Sequence, residues 1–231
     1  MITITERDMV FLRELAARGW CSVKYLSRFF PSHQAALQRL AKLEKGKLIE
    51  RQNILQIINS KHLQLRTLQL CNHYSSKTNF VKISAEAYAT IGVKNRPQLK
   101  EELVVHQIYQ EFIESYLMDL LSVAEMRSNP DLSPKPDLHF TYLNHRVSVE
   151  IERKFRKPRV STKKELSYQD YIDKLLDHSD RILYFFETES EHEKFIKEKY
   201  SKRVFSSVIY RPFEVLNFEN KIIKTSEALR G

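Results

Sequence analysis

Four charged residues in "PDLHFTYLNHRVSVEIERK", residues 136–154, have the types and spacing to do chemistry: Asp137, Glu150, Glu152 and Lys154. In "RVSVEIERK" the side chains of a strand alternate, so Val147, Val149 and Ile151 share one face. Ser148, Glu150, Glu152 and, if the strand continues, Lys154 share the other. Carboxylates two residues apart on a strand stand roughly 7 Å from each other. That spacing suits two sides of a hydrated divalent ion. Asp137 begins the preceding strand, and an antiparallel hairpin turns its carboxylate towards the glutamate pair. Oxygen clusters of this kind hold Mg²⁺ or Mn²⁺. Such an ion activates a water and neutralises charge on a phosphodiester, and a lysine beside it can position the water. The competing reading is the charged edge of an ordinary hairpin.

The elements around this stretch predict an α/β unit with helices on a central mixed sheet. "QLKEELVVHQIYQEFIESYLMDLL" has the spacing of a long amphipathic helix, with Leu103, His106, Ile108, Tyr109, Phe112 and Ile113 on its apolar side. "SVAEMRS" reads as a strand and "NPDLSPKP" as a turn. "DLHFTYL" and "RVSVEIER" then form a hairpin with its turn at "NH". Two helix–strand pairs follow: "KELSYQDYIDKLLDHS" with "RILYFFET", and "SEHEKFIKEKYSK" with "RVFSSVIY". Between hairpin and helix, residues 153–164 hold seven lysines and arginines and no acid. Within that run Arg156, Lys157, Arg159, Lys163 and Lys164 are candidate phosphate contacts; a solvated loop is the alternative. His106 is either a satisfied core histidine or a ligand or proton carrier, with Glu102 four residues earlier on the same face. Arg127 is a candidate contact to a scissile phosphate. Tyr168 and Tyr171 read as packing or DNA contacts.

The first half has a different pattern. Thr5 with Asp8 marks a helix start, and Gly19 marks its end. A short second helix begins near Ser22, and Ser32 caps a third, "SHQAALQRLAKLEKG", closed by Gly46. Ala36, Leu37, Leu40 and Leu43 form its buried stripe, leaving Gln34, Gln38, Arg39, Lys42 and Lys45 outward. "KLIERQNILQI" and "LRTLQLCN" read as a hairpin, and "FVKISAEAYATIG" as a strand leading into a helix. Three helices followed by a hairpin is the order of a winged helix-turn-helix, with the third helix as groove reader and the hairpin as wing. Gln34, Gln38, Arg39 and Lys42 are the types that reach base edges and phosphates.

Charge points the same way. The net charge is +9 over 231 residues. Residues 1–97 hold 16 lysines and arginines against 6 acids, whereas residues 98–231 hold 22 against 23. A basic first half suits a polyanion, most simply double-stranded DNA. Four glycines, at 19, 46, 92 and 231, write no phosphate-cradling glycine loop. Two distant cysteines make neither a disulfide framework nor a zinc site. No apolar run approaches the roughly 18 residues of a membrane span, and "MITITERDMV" lacks the apolar core of a signal peptide. A cytoplasmic protein without membrane insertion is the expectation.

Pro136-Asp137 followed by Glu152-Arg153-Lys154 resembles the PD-(D/E)xK motif of the restriction-endonuclease-like fold, and the α-β-β-β-α-β order resembles its core. Over residues 5–210 the arrangement is similar to the replication-relaxation, MobC-type plasmid mobilisation proteins, which join a winged helix to a nuclease-like domain. "FVKISAEAYATIG", "VVHQIYQEF", "KPDLHF", "VSVEIERK" and "KKELSYQDYI" carry that likeness. The family pattern aligns Glu150 and Glu152 as the acid pair, leaving the lysine to come from elsewhere, Lys154 or Lys164. The nuclease pattern uses Glu152 and Lys154.

The resulting expectation is a winged helix over residues 1–97 and a nuclease-like domain over 98–231. The chain would be a Mg²⁺- or Mn²⁺-dependent DNA endonuclease that nicks a plasmid transfer origin or mobile-element site. Asp137, Glu150 and Glu152 would hold the metal, with Lys154 and His106 assisting. The resemblance implies an accessory mobilisation protein and a coupling ATPase as partners; a homodimer is compatible. The alternatives are a non-catalytic winged-helix accessory or regulator, and a transposon- or restriction-type endonuclease.

Overall fold

A computed structural model describes residues 3–59, 79–84, 87, 101–117, 121, 126, 132–153, 168–198 and 200–211. The chain divides into two compact units, Met1–Glu111 and Phe112–Gly231. The architecture is mixed α/β, with an antiparallel three-stranded sheet in the first unit and a mixed four-stranded sheet in the second.

The first unit runs α1 (Glu6–Arg18), β1 (Cys21–Ser22), α2 (Val23–Leu26), a single 3-10 turn (Ser27–Phe29), α3 (His33–Lys45), β2 (Ile49–Asn53), α4 (Ile54–Ile57) and β3 (Asn79–Ile83). The three sequence-read starts are real caps. Thr5 accepts from Asp8 N–H at 3.2 Å while the Asp8 carboxylate accepts from Thr5 N–H at 2.7 Å, a closed capping box. Ser22 Oγ accepts from Tyr25 N–H at 3.0 Å and Ser32 Oγ from Ala35 N–H at 3.1 Å. Gly19, at φ 84°, releases α1. After α3 the left-handed position falls at Lys47, φ 57°, one residue beyond Gly46.

The three helices enclose one core of Phe11, Leu12, Leu15, Tyr25, Leu26, Leu40 and Leu43, closed by Ile49, Val81 and Ile83 of the sheet. The sheet order is β1-β3-β2, antiparallel throughout. β2 stops at Asn53, and α4 begins where the sequence pattern continued the strand through "ILQI". Gln56 turns its side-chain oxygen back to Asn53 N–H at 3.4 Å, as a helical start requires. β1 had no sequence expectation. The proposed wing strand "LRTLQLCN" lies outside the described residues.

Helix α5 (Glu101–Leu117) carries the boundary between the units. Val104, Val105, Ile108, Tyr109, Phe112, Ile113 and Leu117 are buried along it, whereas Leu103, assigned to its apolar side, is exposed.

The second unit continues with β4 (Leu138–Tyr142), β5 (His145–Glu152), α6 (Tyr168–His178), β6 (Arg181–Phe186), α7 (Glu189–Ile196) and β7 (Val204–Val208). β4 and β5 form a hairpin closed by Tyr142↔His145. Its turn is Leu143–Asn144, one residue earlier than "NH". Both turn residues have positive φ, 46° and 65°, the geometry that matches strand twist in a two-residue hairpin. β5, β6 and β7 are parallel neighbours. The crossovers run through α6 and α7, which pack on one face of β6, burying Ile172, Leu175, Ile182, Tyr184, Phe186 and Phe195 together.

Candidate functional site

The hairpin register places the carboxylates. The pair Leu138↔Val149 is the first of the ladder, so Asp137, one step before it, comes opposite Glu150. Asp137 Oδ2 accepts from Ile151 N–H at 2.8 Å, which ties its carboxylate to β5 next to Glu150. On the other side, β6 sets Tyr184 beside Glu150 and Phe186 beside Glu152. Alternation puts Ser148, Glu150 and Glu152 on the same face as Ile182, Tyr184 and Phe186. That is the face α6 covers, and it brings Tyr171 onto Glu150: the Tyr171 hydroxyl donates to Glu150 Oε1 at 2.9 Å.

Glu150 is 7% exposed, while Asp137 and Glu152 are half-buried. Burial pushes the Glu150 carboxyl well above its ordinary range, and the negative charges of Asp137 and Glu152 push it further. The Tyr171 hydrogen bond opposes them without prevailing. The same surroundings raise both phenols. Burial and then the Glu150 charge hold Tyr171 high, and burial followed by Glu150, Tyr171 and Glu152 does so for Tyr184. At the outer end of β5, Arg153 pairs with Glu187 at 3.2 Å, so this arginine neutralises a different carboxylate.

The donor chemistry of the three carboxylates fits a hard divalent ion. Among the described residues, however, no group of three or more histidine, cysteine, aspartate or glutamate side chains is placed so that it could hold a metal ion. A site here would therefore use fewer protein ligands, as Mg²⁺ does when one or two carboxylates hold it with waters and substrate phosphates completing its shell. Glu150 offers one hydrogen-bonded oxygen and one that Tyr171 does not occupy.

The remaining site expectations divide into three groups. Lys154, Arg156, Lys157, Arg159, Lys163, Lys164 and Arg127 lie outside the described residues. His106 is half-buried on α5 within the first unit, and Glu102 is exposed. Of the groove-reading set, Gln34, Gln38 and Lys42 are exposed on α3, with Ala41 and Lys45 beside them. Arg39 has a partner within the unit. Its guanidinium grips both oxygens of Asp8, which is 1% exposed, and Nη2 also donates to Thr3 O at 2.7 Å. It fastens α3 to the capping box of α1. Burial alone would raise Asp8, but the hydrogen bonds from Arg39 and Thr5 hold it below its ordinary value.

Two serines and a histidine also meet in the second unit. His139 Nδ1 lies 3.1 Å from Ser148 Oγ, which lies 2.6 Å from Ser179 Oγ. Both serines are fully buried, so this chain ties β4 and β5 to the turn before β6 and presents no nucleophile.

Sequence reasoning missed Tyr171 as the partner of Glu150 and Tyr184 as its neighbour. The signal for Tyr171 was its place one residue from Ile172 and four from Leu175, on the side of the helix turned to the sheet. No helix among the described residues is long and apolar enough to cross a membrane. Comparison with protein-family models, curated proteins and solved structures finds no match.

Proposed function

We propose that this protein is a DNA-binding, divalent-metal-dependent endonuclease. The observation that carries the reading is the meeting of Asp137, Glu150 and Glu152 at one end of the β4–β5 hairpin, where each of the other two carboxylates raises Glu150. Like charges crowded around a buried carboxyl are unfavourable alone and become favourable once a cation arrives. Asp137, Glu150 and Glu152 would hold Mg²⁺ or Mn²⁺, and such an ion supplies an activated water and charge neutralisation at a phosphodiester. A hairpin followed by a helix and a parallel strand, with the acids at the start of one hairpin strand and the end of the next, supports the likeness to the PD-(D/E)xK core.

The DNA-binding half of the reading rests on the first unit. Its element order, three helices with a short strand after the first and a β1-β3-β2 sheet, supports a winged helix. Gln34, Gln38 and Lys42 would enter the major groove from α3, the glutamines reading base edges and the lysine holding a phosphate. Nicking at a plasmid transfer origin or mobile-element end, with an accessory protein and a coupling ATPase, is the biological setting the sequence resemblance suggests. The test is selection of duplexes from a random library by the full chain, then incubation of an end-labelled selected duplex with Mg²⁺ or Mn²⁺. Metal-dependent cleavage at a fixed position supports the reading. Selective binding with the duplex left intact in both metals turns it to a non-catalytic DNA-binding protein.

A further inference from the structure

We propose that Tyr171 is the positioning residue of the carboxylate site, orienting Glu150 for the metal; this rests on the metal-site reading above. Its hydroxyl donates to Glu150 Oε1 at 2.9 Å from a helix anchored by Ile172 and Leu175, both fully buried. A glutamate side chain has three rotatable torsions, and a carboxylate left to choose among them is a poor ligand. Fixing Oε1 from α6 leaves Oε2 as the ligating oxygen and selects one rotamer before the ion arrives. Outer-shell hydrogen bonds of this kind typically change metal affinity by about 10- to 100-fold.

A neighbouring tyrosine supplies an internal control. Tyr184 lies beside Glu150 in the β5–β6 register and is fully buried, yet its hydroxyl has no hydrogen-bond partner among the described residues. Two phenols therefore face the same glutamate, and one of them holds it. Loss of a hydroxyl from the packed wall is common to both substitutions, whereas loss of a hold on Glu150 is particular to Tyr171.

The experiment is titration of the full chain with Mn²⁺, following free ion by electron paramagnetic resonance, for wild type, Tyr171→Phe and Tyr184→Phe. The expected result is metal uptake by wild type and by Tyr184→Phe with equal affinity, and roughly tenfold weaker uptake by Tyr171→Phe. Equal affinity in all three, or equal weakening in both variants, overturns the positioning role while leaving the metal site standing. No uptake by wild type removes the metal-site reading and this inference with it. If Tyr171→Phe unfolds, the comparison moves to Tyr171→His, which keeps a ring and an N–H donor. A loss of uptake on Tyr171→His that disappears when Glu150 is already Gln supports action through Glu150; an equal further loss in that background overturns it.

Discussion

Replacing Arg39 with alanine should unfold the first unit more easily and should do so through Asp8. The guanidinium bonds both carboxylate oxygens of Asp8, whose side chain is 1% exposed, from a position itself 22% exposed. Removing one partner of a buried ion pair costs about 3–5 kcal/mol, because the remaining charge is left without compensation. Asp8 keeps its bonds from Thr5 N–H and Oγ1, both at 2.7 Å, and sits in the first turn of a helix whose dipole favours a negative charge. Water also reaches Arg39. These retained interactions reduce the expected loss to roughly 2–3 kcal/mol.

Urea unfolding followed by the fluorescence of Trp20 measures it, since Trp20 is the sole tryptophan, is 3% exposed and belongs to the first unit. With a slope of about 1.5 kcal/mol per molar urea, the midpoint should fall by roughly 1–2 M. The dependence on pH has a definite sign. Asp8 is held below its ordinary 3.8, so the pair contributes fully above that value and loses its contribution as pH falls through the lower folded value. The gap between wild type and Arg39→Ala should therefore be constant near neutrality and close below about pH 4. A midpoint shift under about 0.3 M, or a gap that persists at acid pH, would refute the reasoning.

Three further outcomes follow from the same structure. Glu150→Gln keeps the acceptor for Tyr171 and removes a charge that burial, Asp137 and Glu152 disfavour. The metal-free variant should thus be more stable than wild type at neutral pH, with the advantage shrinking as pH falls and vanishing below 4.5, where wild-type Glu150 is protonated in both states; thermal melts across that range check it. Arg203→Ala removes hydrogen bonds to the carbonyls of Leu176, Ser179 and Asp180 at 3.1, 2.5 and 3.1 Å, and should cost the second unit about 2–3 kcal/mol, read by thermal denaturation. In the DNA-binding reading, Lys42→Ala should weaken binding evenly across sequences and lower the salt slope by about 1, whereas Gln38→Ala should relax preference at one base pair. Fluorescence anisotropy over a salt series separates the two.

Local rules were the legible part of the fold. Thr5, Ser22 and Ser32 announce their helices because a cap is a contact over three residues, and the alternation of "RVSVEIER" fixes which residues share a face with Glu150. The hairpin turn was displaced by one because Leu143 takes a left-handed conformation that leucine rarely occupies, so "NH" looked the better turn. β1 was invisible because two residues, Cys21 and Ser22, make a strand only by pairing with Val81 and Phe80 far along the chain. The bond of Arg39 to Asp8 was hidden for the same reason: the two are 31 residues apart on different helices, and helical spacing alone does not reveal it. The carboxylates were legible as a pattern, but the hydroxyl of Tyr171 on Glu150 depends on how α6 crosses the sheet. The long-range part of the site lies in packing, not in spacing.

The central claim is that Asp137, Glu150 and Glu152 form a metal-dependent nuclease site. Its most direct test is conversion of supercoiled plasmid, carrying a duplex selected by the protein, to open circle in Mn²⁺ or Mg²⁺. Wild type should nick, EDTA should stop it, and Asp137→Ala/Glu152→Ala should bind the plasmid without nicking it. Nicking that survives loss of both carboxylates, or plasmid that stays supercoiled with wild-type protein bound in either metal, would contradict the account.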